Sequence, residues 1–198
     1  ALNFPMAKSR RGNIGVVAAS GYRLVSGEKK NLTEIPLNSF TPRIIGLQQA
    51  YRLRDSEWSA KVTAEALGQS IVADVFHLYS IKEGAVYGSV LFNYFVVGAP
   101  ASEWRVEVPE GVGNIDITGQ NISHEWRRDG NQLIIPLSRP LLGSGTMLLS
   151  FEQPIAASGG TISPGEIRPL NVQSERGYMQ VVSPLQVNHE EVAKSGSL

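Results

Sequence analysis

Two consecutive stretches decide the fold class: Ser70-Ile-Val-Ala-Asp-Val-Phe-His-Leu-Tyr-Ser-Ile81 and Ala85-Val-Tyr-Gly-Ser-Val-Leu-Phe-Asn-Tyr-Phe-Val-Val97. In the first, Ile71, Ala73 and Val75 share one parity, and Val72, Phe76 and Leu78 share the other. In the second, Val86, Val90, Phe92, Tyr94 and Val96 fall on one parity, punctuated by Gly84 and Gly88. Successive side chains of a strand point to opposite faces, so alternation over this length reads as β structure. β-Branched and aromatic residues fit a pleated surface better than a helix. Because the first stretch is apolar on both parities, a strand covered on both sides is expected there.

The pattern extends outward from this centre. Upstream, Trp58, Ala60, Val62, Ala64 and Ala66 alternate as in a half-buried strand. Downstream, Trp104, Val106 and Val108 lead into the turn Pro109-Glu110-Gly111, and Ile115 and Ile117 lead into Gly119. The segment from Ile122 to Arg128 precedes Asp129-Gly130, a hairpin signal. Leu133, Ile134 and Ile135 run up to Pro136, and Thr146 to Phe151 forms a last short strand. Turns at about 8–12-residue spacing suit an all-β sandwich or barrel. Lys29 to Gln49 is the one long stretch without a strand pattern, and Pro36 and Pro42 break any long helix in it. The expectation is an all-β chain: an antiparallel β-sandwich with a loop-rich crossover near residues 29–49 and little helix. One sandwich module over 1–155 is expected. A Gly/Ser/Pro-rich loop or linker follows over 156–175, then a terminal strand or the start of a further repeat over 176–198.

Composition removes several classes of chemistry. The absence of cysteine excludes disulfides, thiolate zinc sites, cysteine nucleophiles and cysteine-ligated iron–sulfur clusters. Lys plus Arg equals Asp plus Glu at 18 each, so no net field favours nucleic acid, and no nucleic-acid partner is expected. No apolar run reaches the roughly 20 residues that span a bilayer as a helix. The longest, Val90 to Ala99, is interrupted by Asn93. No signal peptide is visible at the start and there is no initiator Met; a mature or truncated chain would account for both.

One internal similarity stands out. Arg11-Gly-Asn-Ile-Gly-Val-Val17 matches Arg176-Gly-Tyr-Met-Gln-Val-Val182 at a constant offset of 165 residues. Tandem modules, a chance likeness of two short β patterns, and two edge strands of one domain are all open readings.

The run from Trp104 to Gly111, then Ile115-Asp-Ile-Thr-Gly119, then Leu133-Ile-Ile-Pro-Leu137 resembles β modules of large uncharacterised bacterial surface or periplasmic proteins. The Arg-Gly start of Arg11 to Val17 resembles the opening strand of such modules. The resemblance covers about half the chain and rests on turn grammar. It implies an extracytoplasmic β-sandwich, periplasmic or extracellular, and carries no active-site residues.

Candidate chemistry is sparse. His77, His124 and His189 are isolated, without the pair spacing of a zinc site. Asp74, Glu83, Glu103, Glu107 and Asp116 are the carboxylates to consider for a glycosidase-type pair, although no spacing singles out two of them. Asp74 lies among Val72, Phe76 and Leu78, which predicts an ion pair with a basic residue of a neighbouring strand. Gly143-Ser144-Gly145 lacks the context of a nucleophile elbow. Phosphate-binding and dinucleotide motifs are missing, so no cofactor is expected. Among the aromatics Trp58, Trp104, Trp126, Tyr51, Tyr79, Tyr87 and Tyr94, most should fill a core. Trp126, beside Arg127 and Arg128 at the expected hairpin, and Tyr87 are the candidate ligand-binding residues, for a sugar. Basic groups cluster at Lys8, Arg10 and Arg11 and read as a solvated face. Asn31 and Asn121 head glycosylation sequons. No catalytic or metal-binding residue is assigned. The expected function is a non-catalytic structural or interaction module of a larger extracytoplasmic protein, partnered by its other modules. A carbohydrate-binding module and a polysaccharide-processing enzyme are the alternatives.

Overall fold

The structure, a computed structural model, describes residues 11–55, 57–82, 84–156 and 162–184. Twelve strands follow in order: β1 (Asn13–Val17), β2 (Tyr22–Lys30), β3 (Leu32–Glu34), β4 (Leu47–Leu53), β5 (Ser59–Ala66), β6 (Gln69–Lys82), β7 (Ala85–Glu107), β8 (Gly113–Gly119), β9 (Arg127–Asp129), β10 (Gln132–Pro154), β11 (Arg168–Leu170) and β12 (Ser174–Val182). The described residues contain no α-helix. The expected crossover holds β3 and one 3-10 turn, Leu37–Ser39, followed by a cis Thr41–Pro42 bond. The protein is all-β.

Contacts divide the chain into two compact units within the stretch read as one module. The first takes residues up to Gln69 together with Gly98–Pro100; the second takes Ser70–Val97 and the chain from Ala101 onward. The first unit holds the three-stranded sheet β1-β4-β3 and the two-stranded ribbon β2-β5. Its apolar cluster is small: Ile35, Phe40 and Ala50, with Leu47 against them. Polar side chains do much of the joining. Gln48 accepts from the Leu24 N–H through Oε1 and donates through Nε2 to the Tyr22 carbonyl, and Gln49 Nε2 donates to the Leu24 carbonyl. These amides satisfy β2 backbone groups that would otherwise lie along an unpaired edge. The Tyr51 hydroxyl donates to Gln49 Oε1 at 2.7 Å and lies 2.9 Å from Ser26 Oγ.

The second unit is one seven-stranded sheet, ordered β12-β6-β7-β10-β8, with β11 on β7 and β9 on β10. Pairings among β7, β8, β9, β10 and β11 are antiparallel, whereas β12 lies parallel to β6, so the sheet is mixed at that edge. Segments expected as separate short strands are fused: β7 and β10 each run 23 residues. Their ladder has two regular arms, Ala85–Val96 against Gly143–Pro154 and Glu103–Glu107 against Gln132–Pro136, with register shifts between. Pro140 falls in the irregular part, where a missing N–H costs no ladder bond. Ten extended residues would span about 33 Å. Yet the Trp104 ring stacks on the Tyr94 ring with centroids 4.1 Å apart. The strand therefore bends back, and the inward residues of both arms join one cluster that includes Val90, Phe92, Val106, Leu133, Ile135 and Leu149. A side chain at Gly88 would meet the Phe151 ring at 2.0 Å, which explains glycine inside this strand.

The structure makes three corrections. The second parity of β6 is not covered: Val72 and Phe76 stand more than a third exposed, together with Tyr87, Phe95 and Leu148 on the matching parities of β7 and β10. An antiparallel sheet with one packed face can leave the other open. From Ile122 to Arg128, only Arg127 onward is strand, after a single bridge between Ile122 and Leu137. Within the expected linker 156–175, Ile167 joins the core, Pro169 is buried and β11 pairs with β7. Residues 157–161 of that linker and 185–198 of the terminal segment lie outside the described residues.

Candidate functional site

The hairpin that carries Trp126, Arg127 and Arg128 forms as its sequence dictates. Gly130 adopts the left-handed conformation (φ 57°), and Asp129 pairs with Gln132 to close the turn. Arg128 is consumed by this local structure. Its Nε donates to the Gly130 carbonyl at 3.0 Å, Nη1 to the Val112 carbonyl at 2.7 Å and Nη2 to the Pro109 carbonyl at 2.8 Å. A guanidinium is a planar fork of donors, and here it ties the Pro109–Val112 turn to the hairpin. Trp126 is half-buried and packs against the core. Arg127 is exposed and meets β10 at Ile134. Tyr87 lies opposite Glu152 at the far end of β10 and is 46% exposed, with Lys82 Nζ 5.2 Å from its ring centroid. The structure thus brings Trp126, Arg127 and Arg128 to one hairpin and leaves Tyr87 apart, so the four make no common platform.

The ionisable residues are held structurally. His77 is buried on the packed face of β6 and stacks on Tyr79 at 6.0 Å, with Nδ1 3.4 Å from the Tyr79 hydroxyl. That hydroxyl accepts a hydrogen bond from the Gly165 N–H at 2.9 Å. Burial lowers the His77 pKa and raises that of Tyr79. Asp74 finds the expected basic partner on a neighbouring strand: Arg176 donates to both carboxylate oxygens, at 2.6 and 3.2 Å. These hydrogen bonds hold the Asp74 carboxyl below the ordinary range. Glu103 pairs with Arg105 at 2.6 Å. Glu107 lies opposite Gln132 and Arg168, and Asp116 opposite Ser150. Among the described residues no three His, Asp or Glu gather as metal ligands. His124 is exposed, and Glu83 and His189 lie outside the described residues. The sequon residues Asn31 and Asn121 both have positive φ, and their amide nitrogens donate to the Glu57 and Arg139 carbonyls.

Two features escape sequence reasoning. The first is the open apolar face of the larger sheet. Its signal is the second parity of β6, which reads from sequence as a covered surface. The second is a hollow of about 380 Å³ lined by Arg11, Gly12 and Asn13 at the start of β1 and by Arg52, Leu53 and Arg54 at the end of β4. In the sequence Arg11 stands out as the head of the repeated Arg-Gly segment and as part of a basic cluster with Lys8 and Arg10, which lie outside the described residues, and neither signal points to Arg52 or Arg54. The antiparallel register, Asn13 against Arg52, is what brings Arg52 and Arg54 beside it. Arg54 donates to Thr33 Oγ1. Among the described residues neither Arg11 nor Arg52 has a carboxylate within ion-pair distance.

No protein-family model matches this sequence, and no curated protein matches it. Among solved structures, 49% of the chain is similar to 23% of a two-domain M1 zinc metallopeptidase mutant bound to L-tryptophan, at 17% identity and a TM-score of 0.35. Similarly, 59% of the chain is similar to 32% of an M1 zinc metallopeptidase mutant from Deinococcus radiodurans, at 18% identity and a TM-score of 0.38. The chain spans about a quarter to a third of the length of those enzymes. At these TM-scores the likeness carries no argument about fold or chemistry.

Proposed function

We propose that the chain is a non-catalytic structural or interaction module of a larger, extracytoplasmic bacterial protein. The observation that carries this reading is the open face of the larger sheet. Val72, Phe76, Tyr87, Phe95 and Leu148 share it and are each more than a third exposed. Exposed apolar side chains gathered on one sheet face, here interrupted by Asp74, Asn93 and Thr146, fit a site of protein association. The fate of the polar candidates supports the same reading, since Arg128, Asp74 and Tyr79 are each tied to a partner within the fold. The extracytoplasmic setting follows from the resemblance of the Trp104–Leu137 turn grammar to bacterial surface and periplasmic modules. The carbohydrate-binding alternative retains Tyr87 but loses the joint platform with Trp126.

The test is the double substitution Phe76→Ser and Phe95→Ser in the full-length parent protein. Both side chains already meet solvent, so the thermal midpoint should stay within a few degrees while association of the parent with its partners weakens at least tenfold. Unchanged association would remove the assignment of this face. Turnover of polysaccharide by the isolated chain would remove the non-catalytic reading itself.

A further inference from the structure

The matched segments Arg11–Val17 and Arg176–Val182 are identical at the Arg, the Gly and both Val positions, and they contain or lie within β1 and β12. Among the described residues each of these strands is the edge of its sheet. Along a strand the backbone groups of successive residues turn to alternate edges. The Gly12 carbonyl accepts from the Leu53 N–H at 2.9 Å. Gly12, Ile14 and Val16 therefore face β4, and Asn13 and Gly15 face the open edge; the register shifts after Val16.

For β12 the reckoning starts from β6. The Ile71 carbonyl accepts from the Gln173 N–H at 2.7 Å, so Ile71, Ala73 and Val75 turn toward β12. In a parallel pair a residue bonds to the two neighbours of the residue opposite it, and Ala73 stands opposite Glu175. Ser174, Arg176, Tyr178 and Gln180 therefore face β6, while Gly177, Met179 and Val181 face the open edge. Under the 165-residue offset, Gly177, Met179 and Val181 correspond to Gly12, Ile14 and Val16. The edge that β1 uses is the edge that β12 leaves open, and the edge that β12 uses is the one that β1 leaves open.

Two side-chain observations agree. A Cβ on Gly177 would lie 1.9 Å from the Val75 carbonyl oxygen, so pairing with β6 demands glycine there. A Cβ on Gly12 would meet only Leu53 Cδ1, at 3.5 Å, so nothing in its own unit demands glycine. Arg176 grips Asp74 through two hydrogen bonds, whereas the matched Arg11 has no carboxylate partner among the described residues.

Building on the modular reading above, we infer that β12 is a strand shared by consecutive copies of this module. It pairs with β6 of its own copy and takes the place of β1 against β4 of the next. In the same way β1 docks on β6 of a preceding copy, with Gly12 against that copy's Val75 carbonyl and Arg11 on its Asp74. One matched position departs from this scheme. Gly15 faces Leu47 and Phe40, which a Cβ would meet at 2.7 and 2.9 Å, and its counterpart is Gln180. A following copy must therefore carry smaller groups at those two positions.

The test fuses residues 1–182, carrying Gln180→Gly, directly to residues 18–184 of a second copy, so that β12 is the only strand available to fill the second copy's β1 position. Amide hydrogen exchange is read by NMR in the single chain and in the fusion. The amides of Gly177, Met179 and Val181 should exchange freely in the single chain and slow roughly tenfold or more in the fusion. Those of Arg176 and Tyr178, which face β6, are protected in both. If the three outward amides exchange equally fast in both, or the second copy's β4 amides never become protected, strand sharing is wrong. In the single chain, Gly12→Ala should leave exchange unchanged while Gly177→Ala strips protection from β12; equal effects would also overturn it. Failure here with parent association still sensitive to Phe76 and Phe95 leaves the modular reading standing.

Discussion

The two compact units of this chain are held together in different ways. Among the described residues the larger packs 22 buried residues into one cluster, whereas the smaller gathers three, Ile35, Phe40 and Ala50. Burying a large aliphatic or aromatic side chain stabilises by about 1.5–3 kcal/mol, while a hydrogen bond contributes a net of about 0.5–1.5 kcal/mol. The larger unit therefore draws its stability from burial. The smaller depends more heavily on the bonds by which Gln48, Gln49 and Tyr51 join β4 to β2 at Tyr22, Leu24 and Ser26. All-β content alone does not reveal this division, and it implies that the chain does not unfold as one two-state body.

The largest expected effect tests that implication directly. Phe92→Ala removes a fully buried ring from the larger cluster and should cost about 3–5 kcal/mol, lowering protection of the Val90 and Leu149 amides. Phe40→Ala, in the three-residue cluster, should cost about 3 kcal/mol, and its cost should fall on the smaller unit, with Ala50 losing protection while Val90 keeps it. Urea titrations followed by hydrogen exchange separate the two. If Phe40→Ala lowers both sets of amides together, the units form one cooperative body and the comparison breaks.

A pair of hydroxyl deletions gives a smaller effect of opposite sign in the two units. Tyr51→Phe removes a donor to Gln49 Oε1 and the contact with Ser26, and should destabilise the smaller unit by about 1–2 kcal/mol. The Tyr94 ring stacks on those of Phe92 and Trp104, and its hydroxyl is buried with no partner among the described residues. Burial pushes its pKa far up, as expected of a phenol removed from water. Tyr94→Phe should therefore stabilise the larger unit by about 1 kcal/mol, read as a higher urea midpoint. A loss of stability in that variant would mean that the hydroxyl has a partner and that polar bonds matter in both units.

The strand content is legible because alternation, β-branching and turn residues all point the same way, most plainly from Val86 to Val96 and at Asp129-Gly130. The Asp74 ion pair is legible from a carboxylate set among apolar neighbours. The bend that fuses short strands into β7 and β10 is not, because Pro100, Pro136 and Pro140 read locally as stops. Only the cross-strand partners show that the ladder resumes beyond them. Arg128 is exposed, as its place beside a turn suggests, but the carbonyls that bind its guanidinium include those of Pro109 and Val112, 19 and 16 residues earlier, which adjacency does not show. The basic hollow is hidden in the same way, since Arg11 and Arg52 meet only through strand register.

The smallest expected effect concerns pH. Among the described residues His77 is the buried histidine of the larger unit and His124 is exposed; the smaller unit contains none. Desolvation lowers the His77 pKa below its ordinary 6.5. Below pH 6.5 the unfolded chain therefore binds a proton that the folded chain resists. Stability from the neutral, buried ring is fully present above that pH and is lost as pH falls toward the depressed folded value. Asp74 does not enter this window, because its pKa lies below 3.8 through the hydrogen bonds from Arg176. Between about pH 7.5 and 5, amide protection at Val75 and Val90 should fall while that at Ala50 holds, and His77→Phe should flatten the pH dependence of the larger unit. Equal acid sensitivity at Ala50, or a profile unchanged by His77→Phe, would place the titrating group elsewhere and remove this distinction between the units.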